Sequence, residues 1–204
     1  MRKDIITSAI GMLVLTLVCG ILYPLLVTGI SQVAFHGDAN GQQVFVDGKL
    51  VGSKIIGQAF TDAKGNPLPR YFQSSPSGTD PADNDAGTEF ENYGPNSVIT
   101  EKAIAANIKQ YIALNGKYYP GGLNAGKVPV DAADTSASGV DPDISVLNAD
   151  IQAHRIAAVR HLPLATVHGL ISKYTSGRGL GFSGEPGVDV LELNLALNRL
   201  RTNQ

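Results

Sequence analysis

The sequence predicts one N-terminal transmembrane helix followed by a mixed α/β domain of the α+β class, with long ordered loops, outside the cytoplasm. Three observations support this fold class: a long uncharged apolar segment near the N-terminus, a β-hairpin signal soon after it, and segments of helical periodicity farther along the chain. We therefore expect residues 1–35 to hold a cytoplasmic N-terminus and the single transmembrane helix, and residues 36–204 to form the extracytoplasmic domain.

The apolar segment is long enough to cross a bilayer. No charged residue occurs from Ile5 to Phe35, and about 20 apolar residues span the ~30 Å hydrocarbon layer as a helix. A cleaved signal peptide is the alternative, because Arg2 and Lys3 form a positively charged start. The segment is about twice as long as a usual signal-peptide core, and no small-residue cleavage motif follows it within reach, which favours a retained anchor.

The charges that flank the apolar segment predict its orientation. Arg2 and Lys3 precede it, whereas Asp38 and Asp47 follow it, so the positive-inside rule keeps the N-terminus in the cytoplasm. The single-pass protein would then sit in the cell (inner) membrane. The only cysteine, Cys19, lies inside the span, so no disulfide is available to the outer domain.

One stretch comes within one residue of a phosphate-binding loop. Residues 121–129 read GGLNAGKVP, and the pattern G-x-x-x-x-G-K-[ST] fails only at Val128, where a hydroxyl is required. The residues before it are turn-like rather than a buried strand, and Pro129 opposes a helix directly after Lys127. ATP is also a cytoplasmic ligand. We therefore predict a surface loop here and, on this topology, no nucleotide-binding residues in the chain.

The composition and the remaining polar clusters predict no chemistry of the chain's own. A net charge of −2 without a basic stripe argues against a nucleic-acid partner. His154, His161 and His168 repeat every seventh residue, but Pro163 breaks the helix between them and no carboxylate lies three or four residues after any of them, which favours scattered surface histidines over a metal site. The acidic stretch Asp80–Glu91 lacks the ligand spacing of a calcium loop, and Ser183 lacks that of a nucleophile elbow. We predict neither catalytic nor metal-ligating residues.

The first part of the outer domain is predicted to be a hairpin, ordered loops and one helix. Asp47-Gly48 between two short apolar runs is typical of a type I′ hairpin. Residues 57–93 are rich in turn formers and contain four aromatic anchors, Phe60, Tyr71, Phe72 and Phe90. Pro95-Asn96-Ser97 opens a helix that stops at Asn115-Gly116. We expect residues 117–137 to form a loop in solvent.

The second part is predicted to contain further helices and a short strand. Asp141 as N-cap, Pro142 in the first turn and Asp143 beside the helix dipole indicate a helix start. Its predicted buried stripe is Ile144, Leu147, Ile151, Ala158 and Leu162. A second helix follows Pro163, buries Val167, Leu170, Ile171 and Tyr174, and ends at Gly177. For residues 184–190 we predict a turn that leads into a strand. For residues 191–200 we predict a short strand followed by a helix.

Several separated stretches together resemble a known family. They are Tyr23-Pro24 in the apolar segment, Ala39-Asn40-Gly41, Val51-Gly52-Ser53, Ile56-Gly57-Gln58-Ala59-Phe60, Tyr71-Phe72, Ser75-Pro76-Ser77, Ser138-Gly139-Val140-Asp141-Pro142-Asp143-Ile144-Ser145, Gln152 to Arg160 including Arg155, and Gly184-Glu185-Pro186 through Asn194 to Leu197. Their order, from about residue 5 to 198, is similar to that of the C subunit of the Kdp potassium-transporting P-type ATPase, a membrane pump for high-affinity K⁺ uptake.

The resemblance implies a non-catalytic accessory subunit that binds no cofactor itself. Its partners would be a channel-like K⁺-translocating subunit and a P-type ATPase subunit, and the complex would use ATP, Mg²⁺ and K⁺. The family is described as necessary for assembly and activity, and as a catalytic chaperone that raises the ATP affinity of the ATPase subunit. The residues alone leave a stand-alone, membrane-anchored extracytoplasmic binding module as the alternative.

The resemblance also implies candidate subunit-docking or signature positions. Within the span, Gly11 and Gly20 are small enough to let another helix approach in lipid. The other positions are Tyr23, Pro24, Gly57, Gln58, Phe60, Tyr71, Phe72, Pro76, Ser77, Ser138, Gly139, Asp141, Pro142, Ile144, Ser145, Gln152, Arg155, Gly184, Glu185, Pro186 and Asn194. We hypothesise that the span docks on the channel-like subunit. The segment 57–93 would then lie over the outer mouth, where its acidic stretch attracts K⁺ weakly.

The chain departs from the family's usual pattern at a few positions. Ser75 and Gly187 stand where the family usually has Arg, and Asp143 stands where it usually has His. Asp189 replaces a usual Asn, and residues 91–97 also differ. No role is carried over to these positions, but the fold assignment does not depend on them.

Overall fold

The computed structural model describes residues 2–79, 93–94 and 96–202. Phe90 and the acidic stretch Asp80–Glu91 therefore lie outside the described residues. The chain forms two compact units, Met1–Gln43 and Val44–Gln204. The first unit is helical, and the second is a mixed α/β domain.

The first unit is an apolar helix with one wide turn. Helix α1 (Arg2–Leu17) continues through a π-helical turn (Val18–Leu22) into α2 (Tyr23–Ala34). Pro24 explains the wide turn, because a proline lacks an N–H and its ring clashes with the carbonyl four residues earlier. Together these segments make Arg2–Ala34, the one helix among the described residues that is long and apolar enough to cross a membrane. A short helix, α3 (His36–Ala39), follows it.

The second unit begins with the predicted hairpin. Strands β1 (Gln43–Val46) and β2 (Lys49–Ser53) form a two-stranded sheet. Asp47 and Gly48 connect them with φ values of 50° and 76°, which is the left-handed geometry of a type I′ turn. The prediction of a hairpin at Asp47-Gly48 is confirmed.

Helix α4 (Val98–Asn115) also agrees with the prediction. The Ser97 hydroxyl accepts a hydrogen bond from the Thr100 backbone N–H and caps the helix, which ends at Asn115. The expectation that residues 117–137 form a loop in solvent holds for residues 124–127, which are exposed, but is wrong for the segment after them. A 3₁₀ turn (Ala125–Lys127) leads directly into helix α5 (Val130–Ala133), whose Ala132 and Ala133 are buried.

The predicted helix start at Asp141 is wrong by several residues. Asp143–Ser145 forms strand β3, and helix α6 (Val146–Arg160) begins after it with Ser145 as its N-cap. The reason is tertiary: β3 pairs with a strand more than forty residues later, and this pairing overrides the local helix-start signals.

The buried face of α6 also differs from the predicted stripe. Ile151 is buried as expected, but Leu147 is 59% exposed and Ala158 is exposed. The buried face of α6 instead includes the polar residues Asn148, Gln152 and Arg155.

Helix α7 (Leu164–Lys173) follows Pro163 and buries Val167 and Ile171, as predicted. It ends at Lys173 rather than at Gly177, because Thr175–Ser176 forms strand β4. The predicted strand after Pro186 is confirmed as β5 (Gly187–Asp189). The three strands make an antiparallel sheet of order β3-β5-β4.

The C-terminal element is a helix throughout. Helix α8 (Val190–Thr202) begins directly after β5, so the short strand predicted at its start is absent from this described segment. The alternating leucines that indicated a strand also satisfy helical spacing, and the buried face of α8 carries Leu193 and Leu197. The core packs α6, α7 and α8 with the three-stranded sheet, and its residues are Phe72, Ile144, Ala149, Ala153, Ile156, Ala157, Val167, Ile171, Val188, Val190, Leu193 and Leu197.

Candidate functional site

The loop segment 69–73, in which Phe72 is fully buried, is held against the domain by side chains rather than by a neighbouring strand. Asn194 of α8 bonds both backbone groups of Phe72: its Oδ1 accepts from the N–H at 2.9 Å, and its Nδ2 donates to the carbonyl at 3.0 Å. Gln152 of α6 does the same for Gln73, at 2.8 and 2.9 Å. Two amide side chains thus replace the ladder bonds that a strand would receive.

Arg155 extends this arrangement and is fully buried. Its guanidinium donates to the carbonyls of Tyr71, at 2.9 Å, and Pro69. It also donates to Gln152 Oε1 at 2.7 Å and to Asn115 Oδ1 at 2.8 Å. None of these four acceptors is a carboxylate. Burial lowers the pKa of Arg155 to about 10, so the side chain keeps its charge at neutral pH.

A second cluster joins α4, α5 and α6. The Asp131 carboxylate accepts from the Ser145 hydroxyl at 2.8 Å, from the Ser145 N–H at 2.7 Å and from Asn148 Nδ2 at 2.9 Å. The Tyr111 hydroxyl donates to Asn148 Oδ1 at 2.9 Å, and burial raises its pKa. Gln152 Nε2 also donates to Asn148 Oδ1, at 2.9 Å, which connects the two clusters.

These contacts indicate an architectural role for three of the candidate positions, Gln152, Arg155 and Asn194. We call the set Asn115, Asn148, Gln152, Arg155 and Asn194 the amide–guanidinium network; each of its members is at most 1% exposed. The polar groups of the network bond to one another, to segment 69–73, and to Tyr111 and Asp131, so they are not available to an external ligand. The sequence analysis did not name Asn148, and it named Asn115 only as part of a helix stop, although the spacing of Asn148, Gln152 and Arg155 places them on one helical face. No local signal distinguishes Asp131.

Other candidate positions form a crossing of two loops. The Gly57 N–H donates to the Val140 carbonyl at 2.7 Å, and the Ser77 hydroxyl donates to the Gly139 carbonyl at 3.1 Å. A Cβ on Gly57 would lie 2.7 Å from the Asp141 carbonyl oxygen, so only glycine fits this approach. The signature stretches around residues 57, 77 and 139 therefore pack against one another.

The other candidate positions are more scattered. Gln58 Oε1 is buried and has no hydrogen-bond partner among the described residues. The Phe60 ring packs on that of Tyr71, with centroids 5.1 Å apart. Gly11, Gly20, Tyr23 and Pro24 lie on the exposed apolar helix.

Two of the hollows that the described residues of the second unit form lie beside candidate positions. One, of about 370 Å³, is lined by uncharged residues that include Pro76, Ser77, Tyr111 and Gln152. The other, of about 540 Å³, we call the acidic cleft. Its acidic lining residues are Asp131, Asp134, Asp141, Asp143 and Glu185, and none of the described residues that line it is Lys, Arg or His.

Two half-buried carboxyl groups face each other at the edge of the acidic cleft. Asp143 on β3 and Asp189 on β5 are direct cross-strand partners. Burial, and then the charge of Asp141, raise the pKa of Asp143. Burial, with the charges of Glu192 and Asp143, raises the pKa of Asp189 to about 6, against the hydrogen bond from the Glu192 N–H and the charge of Lys54. A Cβ on Gly187 would lie 2.8 Å from Asp143 Oδ2, so glycine makes room for this carboxylate.

The comparison with known proteins identifies the family. The family described as "KdpC: K+-transporting ATPase, c chain" matches residues 5–199. The chain belongs to the KdpC family. It is 45% identical over 191 residues, 93% of this chain and 94% of the other, to the "Potassium-transporting ATPase KdpC subunit" of Methylococcus capsulatus. Similar proteins of the same name occur in Mycobacterium tuberculosis, 42% identical over 201 residues, and in Koribacter versatilis, 41% identical over 203 residues. They cover 98% and 97% of this chain, and 100% and 95% of their own lengths.

KdpC membership confirms the resemblance drawn from the sequence. Ser75, Asp143 and Gly187, three of the positions that the sequence analysis named as departures from the resembled pattern, line the acidic cleft. The sequence alone did not bring the three positions together, because they lie in different elements.

The near-match to a phosphate loop has a different geometry from a nucleotide-binding turn. Gly121 and Gly122 adopt φ values of 73° and 74° in a turn after α4, with no strand in the described segment before them. The N–H groups of Gly122 and Lys127 bond to carbonyls within the loop. The Lys127 ammonium lies 5.8 Å from the Tyr119 ring centroid. Helix α5 does begin after Pro129, contrary to expectation, but has only 4 residues.

The three histidines do not converge on one point. His154 and His168 meet edge to face with centroids 6.5 Å apart, and His168 Nδ1 lies 3.1 Å from Asp150 Oδ1. His161 instead closes α6 in the left-handed conformation. Within the described residues, no group of three or more His, Cys, Asp or Glu side chains is arranged to hold a metal ion.

Proposed function

We propose that this chain is the single-span accessory subunit of an ATP-driven, high-affinity K⁺ uptake complex. The observation that carries the proposal is the KdpC match over residues 5–199. The apolar helix Arg2–Ala34 supports a membrane anchor by its length and composition. Arg2 and Lys3 before this helix support a cytoplasmic N-terminus, with the α/β domain outside the cell membrane.

In this proposal the chemistry belongs to the partner subunits. A channel-like subunit carries K⁺, and a P-type ATPase subunit hydrolyses ATP with Mg²⁺. This chain binds no cofactor and acts through contacts, stabilising the assembly and raising the ATP affinity of the ATPase subunit. Because the domain lies across the membrane from ATP, that effect is a long-range coupling through the complex. The burial of Gln152 and Arg155 supports an indirect effect, since their polar groups are occupied.

The test of the proposed function is purification of the chain with its neighbours. The tagged full-length chain is co-expressed with the other subunits of its transporter and extracted in mild detergent. We expect two larger membrane proteins to elute with it in a fixed ratio, and the ATP concentration for half-maximal ATPase activity to rise when this chain is omitted. Elution of a lone monomer would contradict the proposal and favour the stand-alone binding module.

A further inference from the structure

An arm projects from the three-stranded sheet and ends in two exposed apolar side chains. The arm comprises residues 175–189, in which β4 pairs with β5 and Gly179 pairs with Ser183 farther out. The Gly179 N–H donates to the Ser183 carbonyl at 2.7 Å, and the Ser183 N–H donates to the Gly179 carbonyl at 2.8 Å. Beyond this pair, Leu180 is 91% exposed and Phe182 is 75% exposed.

The turn at the tip is unfavourable for the residue that occupies it. Leu180 and Gly181 have φ values of 52° and 81°, and the Phe182 N–H bonds to the Gly179 carbonyl at 3.2 Å. This is the geometry of a type I′ turn, whose first central position favours Asn, Asp or Gly. A leucine there is strained, because its Cβ approaches the following carbonyl oxygen.

Two features of the tip therefore lower stability, the strained backbone at Leu180 and the exposed apolar surface of Leu180 and Phe182. An asparagine at 180 and a serine at 182 would avoid them. Strained residues persist at binding elements, where a partner offsets their cost. Large exposed apolar side chains also mark sites of association. Both observations concern the same two residues and indicate that Leu180 and Phe182 are buried by something outside this chain.

The surface at the base of the arm indicates what covers the tip. Glu185 lies on the arm, lines the acidic cleft and bonds to Arg178 through both carboxylate oxygens at 2.8 Å. The other acidic residues that line the same cleft are Asp131, Asp134, Asp141 and Asp143. Such a surface is repelled by the anionic headgroups of a bilayer and is complementary to basic side chains of a protein.

We propose that the arm is a docking element whose tip enters an apolar pocket of a neighbouring subunit, bordered by basic side chains that face the acidic cleft. This inference rests on the proposed function, since the neighbour is a membrane subunit of the same transporter. Leu180 and Phe182 form the apolar anchor, and the acidic cleft fixes the orientation of the contact.

The test separates the stability of this chain from its association. Leu180→Asn relieves the strain and removes the apolar side chain, so we expect the melting temperature of the purified full-length chain to rise by about 2 °C. The amount of partner subunit recovered per tagged chain should fall by about tenfold, as for an anchor at the centre of an interface. Phe182→Ser should lower recovery similarly. Leu147→Gln, at a 59% exposed leucine on α6, is the matched control and should leave recovery unchanged.

The outcomes distinguish this inference from the proposed function. If the wild-type chain recovers its partners and Leu180→Asn recovers them equally well, the docking element is wrong and the proposed function stands. If the wild-type chain recovers no partner, the proposed function is wrong, and the docking inference that rests on it is wrong as well. A photoreactive benzophenone side chain in place of Phe182 identifies the occupant within the co-expressed complex. Crosslinking to one of the partner subunits supports the proposal, whereas crosslinking only to lipid or to a second copy overturns it.

Discussion

At the scale of single residues, the interior of the domain depends on a charged side chain that no acid neutralises. Arg155 satisfies four acceptors through three nitrogens in one planar group, and lysine cannot reproduce that geometry. We expect Arg155→Lys to lower the free energy of unfolding by about 2–3 kcal/mol, because buried carbonyls lose their donors. Thermal unfolding of the purified full-length chain measures the effect. The control Arg199→Lys, on the exposed face of α8, should change the stability by less than about 0.5 kcal/mol.

Asp189 makes the stability of the domain depend on pH. Its pKa is about 6 when folded, against 3.8 for an ordinary Asp, so the folded state binds a proton more tightly than the unfolded state. Its stabilising contribution is therefore fully present below about pH 4 and is lost as pH rises to about 6. Asp189→Asn keeps an acceptor for the Glu192 N–H and removes the charge. We expect this variant to melt about 2–4 °C higher than the wild type at pH 7.5 and at an equal temperature at pH 4. An equal difference at both pH values would contradict the assignment.

The sequence identified many of the residues in the network but not what they do. Gln152, Arg155 and Asn194 were candidate docking or signature positions, and their partners lie 79 to 122 residues away in the chain. Such contacts have no local signature, because a buried amide that bonds a distant loop looks like a surface amide in the sequence. Gly57 was likewise recognised, but its need to be glycine follows only from the approach of the Asp141 carbonyl.

At the scale of elements, strand β3 and helix α6 meet at Ser145. Its hydroxyl accepts from the Asn148 N–H at 3.1 Å and donates to Asp131 at 2.8 Å. We expect Ser145→Ala to destabilise the domain by about 1–2 kcal/mol, because the helix loses its cap and Asp131 loses a donor. Thermal unfolding checks this against the control Ser172→Ala on the exposed surface of α7. An effect of Ser145→Ala no larger than that of Ser172→Ala would contradict the capping role.

The hairpin and α4 were predicted from local signals, whereas strands β3 and β4, which form by pairing with β5, were not predicted. The hairpin at Asp47-Gly48 and the start of α4 at Ser97 follow from a turn and a cap that lie within a few residues. Asp141-Pro142 carries equally good helix-start signals, but Asp143–Ser145 forms a strand because it pairs with β5. Strand β5 ends at Asp189, and the alternating leucines after it belong to helix α8.

At the scale of the whole molecule, the described residues form a long apolar helix and an α/β domain, which is braced internally and carries a projecting arm. The amide–guanidinium network explains why the signature residues Gln152, Arg155 and Asn194 are polar and yet buried. What remains for partners is the exposed surface, including the acidic cleft. The sequence predicted the family and the two-part organisation, but the grouping of Ser75, Asp143 and Gly187 around one cleft required the fold.

The most direct test of the central claim is the sidedness of the α/β domain. With Cys19→Ser, a single Lys127→Cys places one thiol on the exposed loop that resembles a phosphate-binding turn. A second variant, which combines Cys19→Ser with Lys3→Cys, reports the side of the membrane on which the N-terminus lies. We predict that a membrane-impermeant thiol reagent labels position 127 in intact cells and position 3 only after the membrane is opened. If position 127 were labelled only after the membrane is opened, and position 3 were labelled in intact cells, the proposed orientation would be wrong. The α/β domain would then lie on the cytoplasmic side, where ATP is found.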